Sequence, residues 1–497
     1  MMLLSSIVEQ LTADGIVLEF SPGETDLFDR AEIDSREIGP HNCFVAIRGH
    51  EVDGHMFIDK AVKNGAVAIV YEVTPEILRE GLSGVALVHV TNSRQALLRL
   101  AAIQNQNPAD DMVLVGTTGT NGKTTVATLI RHVLEYDGRP CGFIGTTEYA
   151  YGSTSYPARE TTPSALRVYG LLAEMKSAGF QSCSMEVSSH ALDQWRVNVS
   201  DFNVAVFTNL TRDHLDYHET ESAYLDAKKR LFDGLLAGSS AVVNMDDPVA
   251  LQLIEGISAQ ALTFGTVPEA DVKYEIVQDH IEGLQLQIDG KKLMSRLAGR
   301  FNAGNLAAAY ACSLSLEVPP EKIVQALEKA PPVPGRFELF RGRRGKSIVV
   351  DYAHTPDALE NVLNAAKRIR PTDSTLWCVF GCGGDRDTGK RSTMGRIAEN
   401  LADRVIVTSD NPRTEDPQAI LNDVAKGFVH PEKARFIVDR RDAIDYVASE
   451  SGPADLIVVA GKGHETVQVI GTTSIPLDDR EEIKRAFEVE LNHLELN

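Results

Sequence analysis

The residues best suited to chemistry stand at 112–125, where the sequence reads M-V-L-V-G-T-T-G-T-N-G-K-T-T. Four apolar residues predict a buried strand, the glycines a tight turn, and the residues from Lys123 onward a helix with apolar positions at helical spacing. Such a turn presents backbone N–H groups to phosphate oxygens, while Lys123 reaches the β- and γ-phosphates and a Thr hydroxyl binds Mg²⁺. Although Gly116 stands one position earlier than in the usual motif, the segment predicts a nucleoside triphosphate site.

Two further segments place polar side chains after apolar runs. Glu186 ends S-C-S-M-E and could bind Mg²⁺ beside the glycine-rich turn, or could be an acid at the start of a helix. His214 and His218 have the i, i+4 spacing of a zinc pair, but no third soft ligand is near, so loop or core histidines are favoured. Lys228 lies in a predicted helix, and its position alone predicts a solvated lysine.

The last third of the chain contains four predicted strands that each end in a polar or glycine-rich cluster. These clusters are D-Y-A-H-T-P, G-C-G-G-D-R-D, S-D-N-P-R and G-K-G-H-E. Because ligands of open α/β sheets lie beyond the carboxyl ends of the strands, the clusters predict a site on one face. Arg386 and Arg413 could each bind a carboxylate there through paired hydrogen bonds, or could form surface salt bridges.

The elements that must position these groups alternate between strand and helix. Continuous apolar strands joined by helices predict an α/β fold with mostly parallel sheets, and an antiparallel ribbon is predicted at 272–288 with a hairpin turn at Asp289-Gly290. Linkers at 105–111 and 330–335 divide the chain into three predicted domains, 1–107, 108–334 and 335–497. The predicted strands include 43–47, 66–71, 85–90, 112–115, 142–145, 182–187, 204–207, 241–243, 348–350, 376–380, 404–407 and 456–460.

The bulk composition limits the class of protein. With 497 residues, 43% hydrophobic and 24% charged, the chain has an ordinary globular composition. Its net charge of −21 argues against nucleic acid or an anionic membrane as the main partner. No apolar run approaches the ~20 residues of a membrane helix, so no membrane insertion is expected. A secretory signal would carry Lys or Arg near its start, but none precedes Arg30, so no such signal is expected. The six scattered cysteines predict buried free thiols in a reducing cytoplasm.

Eight ordered motifs spread over essentially the whole chain closely resemble the Mur ligases of peptidoglycan synthesis, and within them the ligases that add the third residue of the peptide. The resemblance implies an N-terminal UDP-binding domain, a central ATPase domain and a C-terminal Rossmann-like domain that binds the amino acid. The motifs are D-S-R at 34–36, G-T-N-G-K-T-T at 119–125, E-V-S-S-H at 186–190, N-L-T-R-D-H-L-D-Y-H at 209–218, F-N-A-G-N at 301–305, D-Y-A-H-T-P at 351–356, D-N-P-R at 410–413 and G-K-G-H-E at 461–465.

The resemblance also implies a reaction. ATP transfers its γ-phosphoryl group to the D-Glu carboxylate of UDP-N-acetylmuramoyl-L-alanyl-D-glutamate, and the amine of meso-diaminopimelate then displaces phosphate from the acyl phosphate. The implied partners are these small molecules and Mg²⁺, with no nucleic acid, and the implied protein is a cytoplasmic monomer. Because two anionic reactants repel each other, Lys123 and two Mg²⁺ ions would neutralise charge.

Residue roles follow from the matching motif positions. Lys123, His214 and Lys228 are implied as catalytic residues, and carbamylation of Lys228 would replace the solvated-lysine interpretation. The implied Mg²⁺ ligands are Thr124, Glu186, His214 and carbamylated Lys228. The implied ATP contacts are Gly119, Thr120, Asn121, Gly122, Lys123, Thr124, Thr125, Asn305, Arg336, Asp351 and His354.

The remaining implied contacts concern the two other substrates. The implied contacts to the UDP-muramoyl peptide are Ile33, Ser35, His50, Thr161, Thr162, Ser188, Gln194 and Arg196. The implied contacts to diaminopimelate are Arg386, Asp410, Asn411, Pro412, Arg413, Gly461 and Glu465.

Three alternatives remain open at this stage. A lysine-adding ligase would share the fold, but lysine lacks the carboxylate that Arg413 would bind. Folylpolyglutamate synthetase shares the fold and the glycine-rich turn, but the first domain and D-N-P-R fit it poorly. A nucleotide-switched binding protein would bind ATP without releasing phosphate when the other substrates are present.

Overall fold

The computed structural model describes residues 1–49, 52–73 and 82–489, and these form two compact units. Unit 1 comprises Met1–Gly116, Arg139–Asn203 and Ala227–Ser239, and unit 2 comprises Thr117–Gly138, Val204–Asp226 and Ser240–Asn497. Among the described residues, no helix combines the length and the apolar character needed to cross a membrane.

The described strands are numbered in chain order. They are β1 (Met2–Leu3), β2 (Val17–Ser21), β3 (Leu27–Phe28), β4 (Ala31–Glu32), β5 (Asn42–Val45), β6 (Ala66–Tyr71), β7 (Ala86–Val90), β8 (Val113–Thr118), β9 (Cys141–Ile144), β10 (Glu148–Tyr151), β11 (Thr154–Pro157), β12 (Ser182–Glu186), β13 (Val204–Phe207), β14 (Ser240–Asn244), β15 (Gln260–Gly265), β16 (Val272–His280), β17 (Gly283–Ile288), β18 (Lys291–Ser295), β19 (Glu338–Arg341), β20 (Ser347–Asp351), β21 (Leu376–Phe380), β22 (Arg404–Val407), β23 (Ala434–Phe436), β24 (Leu456–Ala460), β25 (Val467–Ile470) and β26 (Thr473–Pro476).

The described α-helices are numbered in the same way. They are α1 (Leu4–Ala13), α2 (Ile58–Lys63), α3 (Ser93–Gln104), α4 (Lys123–Tyr136), α5 (Ala165–Ser177), α6 (Ser189–Asp193), α7 (Leu215–His218), α8 (Glu221–Asp233), α9 (Ala250–Ile254), α10 (Phe301–Ser315), α11 (Pro320–Lys329), α12 (Pro356–Ile369), α13 (Lys390–Leu401), α14 (Pro417–Ala425), α15 (Arg440–Glu450) and α16 (Asp479–Ala486). Short 3₁₀ turns lie at Gly54–Phe57, Pro108–Asp111, Val199–Asp201, Arg343–Gly345 and Pro431–Lys433.

The first sheet lies in unit 1 and has the strand order β2-β7-β6-β5-β4. Strands β4 to β7 pair in parallel, and β2 is antiparallel at one edge. The continuous apolar run A-V-A-I-V-Y of β6 reflects a strand that is covered on both faces. The predicted strands at 43–47, 66–71 and 85–90 are confirmed within a few residues. Strand β2 was not predicted, because it is an exposed edge strand without a continuous apolar run. Helix α1 was not predicted either.

The remaining strands of unit 1 place Glu186 at a strand end. Strand β12 pairs in parallel with β9, which continues into the antiparallel hairpin of β10 and β11. All five residues of β12, including Glu186, are buried. The predicted strands at 142–145 and 182–187 are confirmed, whereas the hairpin was not predicted.

The central part of unit 2 carries the glycine-rich turn. Strands β13, β14, β15 and β16 pair in parallel, and β16, β17 and β18 form the predicted antiparallel ribbon. Its hairpin turn is confirmed, since Asp289 and Gly290 have positive φ angles of 46° and 72°. Helix α10 is alanine-rich and largely buried, and it packs against α4, the helix that follows the glycine-rich turn.

The C-terminal sheet of unit 2 has the strand order β19-β20-β24-β21-β22-β23, and only the edge strand β19 is antiparallel. Alternate residues of its strands face opposite sides. Val349 and Val407 lie in one apolar cluster, and Ile348 and Ile406 lie in the other. Since β20, β21, β22 and β24 are parallel, their polar carboxyl-terminal clusters lie at the same edge, which confirms that prediction.

The cysteines are free thiols, as expected from their scatter. All six are buried and none forms a disulfide: Cys43, Cys141, Cys183, Cys312, Cys378 and Cys382. Burial raises the pKa of Cys43 and of Cys382 to about 12.

Candidate active site

The glycine-rich turn joins β8 to α4 and depends on two glycines with positive φ. Gly119 has a φ of 145°, and a Cβ atom there would lie 1.9 Å from Thr208 Oγ1. Gly122 has a φ of 84°, and a Cβ atom there would lie 2.4 Å from Asn305 Oδ1. The turn therefore needs glycine at both positions for its conformation and for its close packing. Asn305, an implied ATP contact, lies directly against it.

The segment 208–211 supports the turn through hydrogen bonds. The backbone N–H of Thr120 donates to Asn209 O (2.8 Å), and that of Asn121 donates to Asn209 Oδ1 (2.9 Å). Thr208 Oγ1 donates to Asn121 O (2.6 Å), and the Thr211 N–H donates to Thr120 Oγ1 (2.9 Å). These contacts hold the turn in shape before any nucleotide binds. The sequence did not reveal this support, because it depends on two strands being neighbours.

Lys123 is the first residue of α4, and its side chain folds back over the turn. Its Nζ donates to Gly119 O (2.9 Å) and to Thr120 O (2.8 Å). The ammonium group therefore lies inside the concave side of the turn, where a phosphate group would meet the backbone N–H groups. Thr124 and Thr125 follow it in the buried first turn of the helix.

Thr124 contacts an arginine that is more than two hundred residues away in sequence. Arg336 donates from Nη2 to Thr124 Oγ1 (2.8 Å), and its guanidinium lies 4.6 Å from the ring centre of Tyr352. Asp351 lies close enough for Arg336 to lower the pKa of its carboxyl, but burial prevails and raises this pKa to about 6. Three implied ATP-contacting residues thus lie near one another in unit 2.

Asp357, which was not predicted as a site residue, makes a second long-range contact with the turn. It lies in the first turn of α12, and its Oδ2 accepts hydrogen bonds from Asn121 Nδ2 (2.9 Å) and Thr211 Oγ1 (3.1 Å). The nearby His354 is a predicted ATP contact, and burial lowers its pKa, as does the charge of Lys390. The residue that follows the D-Y-A-H-T-P segment therefore contacts the glycine-rich turn.

The segment 213–218 places Asp213 within electrostatic reach of His214, His354 and Lys123. His214 has a left-handed backbone (φ 54°), and its Nε2 lies 3.4 Å from Asp213 Oδ2. Burial raises the pKa of Asp213, yet the charges of His214, His354 and Lys123 lower it overall. His218 is buried beside Tyr224, in accordance with a core histidine.

Glu186 has a defined orientation at the end of β12. Its side chain is buried; Oε1 accepts from the Thr146 N–H (2.8 Å) and Oε2 from Thr146 Oγ1 (3.0 Å). Carboxylate and hydroxyl oxygens such as those of Glu186 and Thr124 suit Mg²⁺, which usually takes one or two carboxylates together with substrate phosphates. In the described ranges, no three His, Cys, Asp or Glu side chains are grouped as a metal site. The donor types therefore fit a nucleotide-bound Mg²⁺.

The structure contradicts the prediction, made from sequence position alone, that Lys228 is solvated. This lysine lies in α8 but is only 1% exposed, so the solvated-lysine interpretation was wrong. The sequence carried a signal for this burial, because Lys228 stands at helical spacing from Tyr224 and Leu231, which are both buried. The burial leaves the implied carbamate as a prediction.

The residues predicted to contact the muramoyl peptide form one hydrogen-bonded network in unit 1. Thr162 Oγ1 donates to Glu186 O (2.7 Å) and accepts from the Ser188 N–H (3.1 Å). Arg196 donates to Thr162 O (2.7 Å) and to Gln194 Oε1 (2.9 Å). Thr161 joins this network through Thr146, at 3.1 Å between the two hydroxyl oxygens, and Glu160 pairs with Arg196 at 3.0 Å.

Two further residues predicted to contact the UDP-muramoyl peptide, Ile33 and Ser35, lie between β4 and β5. Ser35 is buried, and its carbonyl accepts from Asn64 Nδ2 (2.7 Å), whereas Ile33 is exposed. Between them, a hydrogen bond from Arg36 lowers the pKa of Asp34 to about 2. His50 lies outside the described residues.

At the carboxyl edge of the C-terminal sheet, the two predicted arginines lie beside Gly383. A Cβ atom on Gly383 would lie 3.0 Å from Arg413 Nη1 and 3.9 Å from Arg386 Cγ. Arg413 donates from Nη1 to Gly384 O (2.7 Å), and its backbone N–H donates to Val469 O (3.0 Å). The predicted pair of arginines is therefore brought together. Arg391 supports this loop through Glu415 (2.8 Å) and Asp423 (2.9 Å).

The acidic and amide groups of the same edge surround a buried lysine. Asn411 Nδ2 donates to Glu465 Oε2 (2.8 Å), and Lys462 Nζ donates to that same oxygen (2.9 Å). Asp410 lies next to Gly461, where a Cβ atom would lie 2.9 Å from Asp410 Oδ2. The sequence analysis included Lys462 only as a letter of G-K-G-H-E. Its partners Asn411 and Glu465 follow two different strands, β22 and β24.

Comparison with known proteins gives consistent matches along the chain. Family models match at residues 30–107 (Mur ligase family, catalytic domain), 117–313 (Mur ligase middle domain) and 335–463 (Mur ligase, glutamate ligase domain). UDP-N-acetylmuramoyl-L-alanyl-D-glutamate--2,6-diaminopimelate ligase of Parabacteroides distasonis is 42% identical over 456 residues, covering 91% of this chain and 93% of that protein.

Solved structures agree with these matches. A structure of UDP-N-acetylmuramoyl-L-alanyl-D-glutamate--2,6-diaminopimelate ligase has a TM-score of 0.66 and 34% identity, covering 93% of this chain and 95% of that chain. Folylpolyglutamate synthase of Mycobacterium tuberculosis, complexed with ADP and AMPPCP, has a TM-score of 0.60 and 18% identity, covering 74% of this chain and 92% of that chain. The second similarity shows a shared fold alone.

Proposed function

This chain belongs to the Mur ligase family, and we propose that it uses ATP to join 2,6-diaminopimelate to the D-Glu residue of UDP-N-acetylmuramoyl-L-alanyl-D-glutamate. The observation that carries this proposal is the edge of the C-terminal sheet, where Arg386 and Arg413 flank Gly383 near Asp410 and Glu465. Two cations and two carboxylates at one site suit an amino acid with an additional ammonium and carboxylate pair.

The first step proposed is phosphoryl transfer from ATP to the D-Glu carboxylate, which forms an acyl phosphate and ADP. The backbone N–H groups of the glycine-rich turn and Lys123 would bind the β- and γ-phosphates. Lys123 already lies within the turn, where the phosphate oxygens would replace Gly119 O and Thr120 O as its partners. Arg336, Asp351, His354 and Asn305 are proposed to bind the remainder of the nucleotide.

The second step proposed is attack of a diaminopimelate amine on the acyl carbon, with phosphate as the leaving group. Arg413 would hold the far carboxylate of diaminopimelate in a fixed position, because its backbone and one guanidinium nitrogen are already hydrogen-bonded. The network of Thr162, Ser188 and Arg196 would hold the muramoyl peptide. Exclusion of water around these groups would protect the acyl phosphate from hydrolysis.

Mg²⁺ is proposed to be bound by Thr124, Glu186, His214 and a carbamate on Lys228. When bound, it would neutralise phosphate charge and polarise the transferred phosphoryl group. The burial of Lys228 supports the carbamate, because this lysine is not a solvated surface residue. The carbamate would supply an anionic oxygen ligand for Mg²⁺. The role of Thr146 in this arrangement is to hold both oxygens of Glu186 in place.

The remaining parts of the proposal concern organisation and location. We propose three functional domains, 1–107, 108–334 and 335–497, whose order follows the three family matches. We also propose a monomer that acts in the cytoplasm. The six buried free thiols support a reducing compartment.

A phosphate-release assay with single omissions tests the proposed reaction. We expect phosphate release only when ATP, UDP-N-acetylmuramoyl-L-alanyl-D-glutamate and diaminopimelate are all present, with formation of the amide product measured by mass spectrometry. ATP binding without phosphate release in the complete mixture would indicate a nucleotide-switched binding protein. Higher turnover with lysine than with diaminopimelate would indicate the lysine-adding activity instead.

A further inference from the structure

We propose that Lys462 is a positioning residue for the amino-acid substrate, because its buried ammonium holds Glu465 and Asn411 in their binding orientation. This inference rests on the proposed function. It assigns to Glu465 a divided role, in which one carboxylate oxygen is held by the protein and the other binds the ammonium group of the amino acid.

The ammonium group of Lys462 donates a hydrogen bond to each of three acceptors in its surroundings. The side chain is 0% exposed, and Nζ donates to Val467 O (2.6 Å), Glu465 Oε2 (2.9 Å) and Asn411 Oδ1 (3.2 Å). An ammonium group has three N–H donors, so all three are satisfied. Two of the three acceptors belong to residues predicted to bind diaminopimelate. Lys462 therefore lies under that site rather than within it.

The hydrogen bonds leave the two oxygens of Glu465 in different situations. Oε2 accepts from both Lys462 Nζ and Asn411 Nδ2 (2.8 Å). Across the residues that the structure describes, Oε1 accepts no hydrogen bond, and the Glu465 side chain is 29% exposed. Oε1 is therefore available to an incoming cation, and its direction is set by the two bonds to Oε2.

Asn411 transmits the same constraint to the loop that carries Arg413. Its Oδ1 accepts from Lys462 Nζ and also from the Val469 N–H (3.0 Å), while its carbonyl accepts from the Gly384 N–H (2.9 Å). Gly384 O in turn accepts from Arg413 Nη1 (2.7 Å). Asn411 thus connects the buried ammonium, through its side-chain amide, to the groups proposed to bind the opposite charge of the amino acid, through its backbone carbonyl.

The backbone of the turn at 461–465 has contacts of its own besides the hydrogen bond from Lys462 Nζ to Val467 O. The Glu465 N–H donates to Lys462 O (2.9 Å), and Gly463 packs closely against Gly335 and Tyr352. Removal of the charge should therefore release the side chains of Glu465 and Asn411 while the turn persists. The same change should therefore weaken binding of the amino-acid substrate and leave binding of the other two substrates unchanged.

The test is steady-state kinetics of Lys462→Met with each of the three substrates varied in turn. We expect KM for diaminopimelate to rise about tenfold or more, as expected for a lost charged contact. KM values for ATP and the UDP-muramoyl dipeptide should stay within about twofold, since neither contact involves this site. Unchanged KM for diaminopimelate in a folded K462M protein would overturn the proposal.

Lys346→Met is the matched control. Lys346 lies in the same C-terminal segment and donates to Ala448 O (2.6 Å), but it precedes β20 and so lies at the sheet edge opposite to the binding clusters. The Lys346→Met variant loses the same charge as Lys462→Met, and its KM values for ATP, the UDP-muramoyl dipeptide and diaminopimelate should stay unchanged. If K462M yields no folded protein, K462Q replaces it, and a wild-type KM for diaminopimelate in K462Q would equally overturn the proposal.

A double-mutant cycle with Glu465→Gln separates positioning from a general structural role. If Lys462 acts through Glu465, K462M should add little to the KM change of E465Q, so the two effects are strongly non-additive. Additive effects, or a lower kcat with an unchanged KM for diaminopimelate, would show a merely structural role. The proposed function is judged separately, because only the wild-type omission assay tests it.

Discussion

At the scale of single residues, Arg413 has a side chain that is held in place, as its proposed role in specificity requires. It has a positive φ of 51°, a backbone hydrogen bond to Val469, and a side-chain hydrogen bond to Gly384. Its guanidinium is therefore oriented before the amino acid binds, which reduces the entropy lost on binding. The sequence predicted this residue because Pro412 precedes it at a strand end, but it left a surface salt bridge equally possible.

We predict that Arg413→Ala lowers kcat/KM for diaminopimelate by about tenfold or more, because the second carboxylate loses its charged partner. Affinity for ATP should be unchanged, since the glycine-rich turn is intact. Arg435→Ala, which removes an arginine packed over Tyr446 in the same sheet, is the control and should leave kcat/KM unchanged. Wild-type kinetics with diaminopimelate in R413A would rule out this role.

At the scale of elements, the conformation of the turn between β8 and α4 is determined by its own residues. The hydrogen bonds that support the turn come from a distant segment, 208–211. The helix begins at Lys123, directly after Gly122 in a left-handed conformation, and its apolar positions pack inward as their spacing predicts. The unpredicted hairpins, β10–β11 and β25–β26, consist of short strands with partly exposed residues. Such strands lack the continuous apolar runs that revealed the central strands.

We predict that Gly119→Ala weakens ATP binding by about tenfold or more, because the added methyl group would collide with Thr208 and move the turn proposed to hold the phosphates. Isothermal titration with ATP measures the effect. Gly138→Ala is the matched control, since Gly138 also has a positive φ (88°) but no atom within 4 Å of the added Cβ.

The control separates backbone strain from collision. G138A should be destabilised by about 1–2 kcal/mol through left-handed strain while it retains wild-type ATP affinity. Equal ATP affinities of G119A and wild type would contradict the assignment of the turn as the phosphate site.

At the scale of the whole molecule, contacts between distant segments stabilise the chain and its site. The ion pair of Arg440 and Asp479 is 0% exposed on both sides, with two hydrogen bonds of 2.7 Å. Arg440 also donates to Ser409 O (3.3 Å) and Ala460 O (3.0 Å). These carbonyls immediately precede Asp410 and Gly461, so the pair links the last helices to two strand ends of the proposed site.

We predict that Asp479→Ala lowers the free energy of unfolding by about 3–5 kcal/mol, because a buried guanidinium would lose its counter-charge. Urea denaturation followed by circular dichroism measures the change. Asp445→Ala removes the partner of Arg485 in an ion pair that is about half exposed on both sides, and should cost under about 1 kcal/mol. Similar denaturation midpoints for D479A and D445A would contradict the prediction.

Much of the architecture was predictable because it follows from local pattern. The strands at 204–207, 376–380, 404–407 and 456–460 match the structure at both ends, since each is a short apolar run bounded by polar residues. The turn at Asp289-Gly290 was likewise predictable from two residues that favour positive φ. The burial of Lys228 was missed, although its helical spacing from Tyr224 and Leu231 places it on the apolar face of α8.

The sequence by itself determined the α/β class, the strand ends that carry polar clusters, and the motifs that indicate a ligase. Only the tertiary structure decided that Arg336 reaches Thr124, that Asp357 reaches Asn121, and that Lys462 is buried between Asn411 and Glu465. The physical reason is that strand, helix and turn preferences act over a few neighbouring residues. Which charged side chains meet depends on how strands far apart in the chain pair and pack.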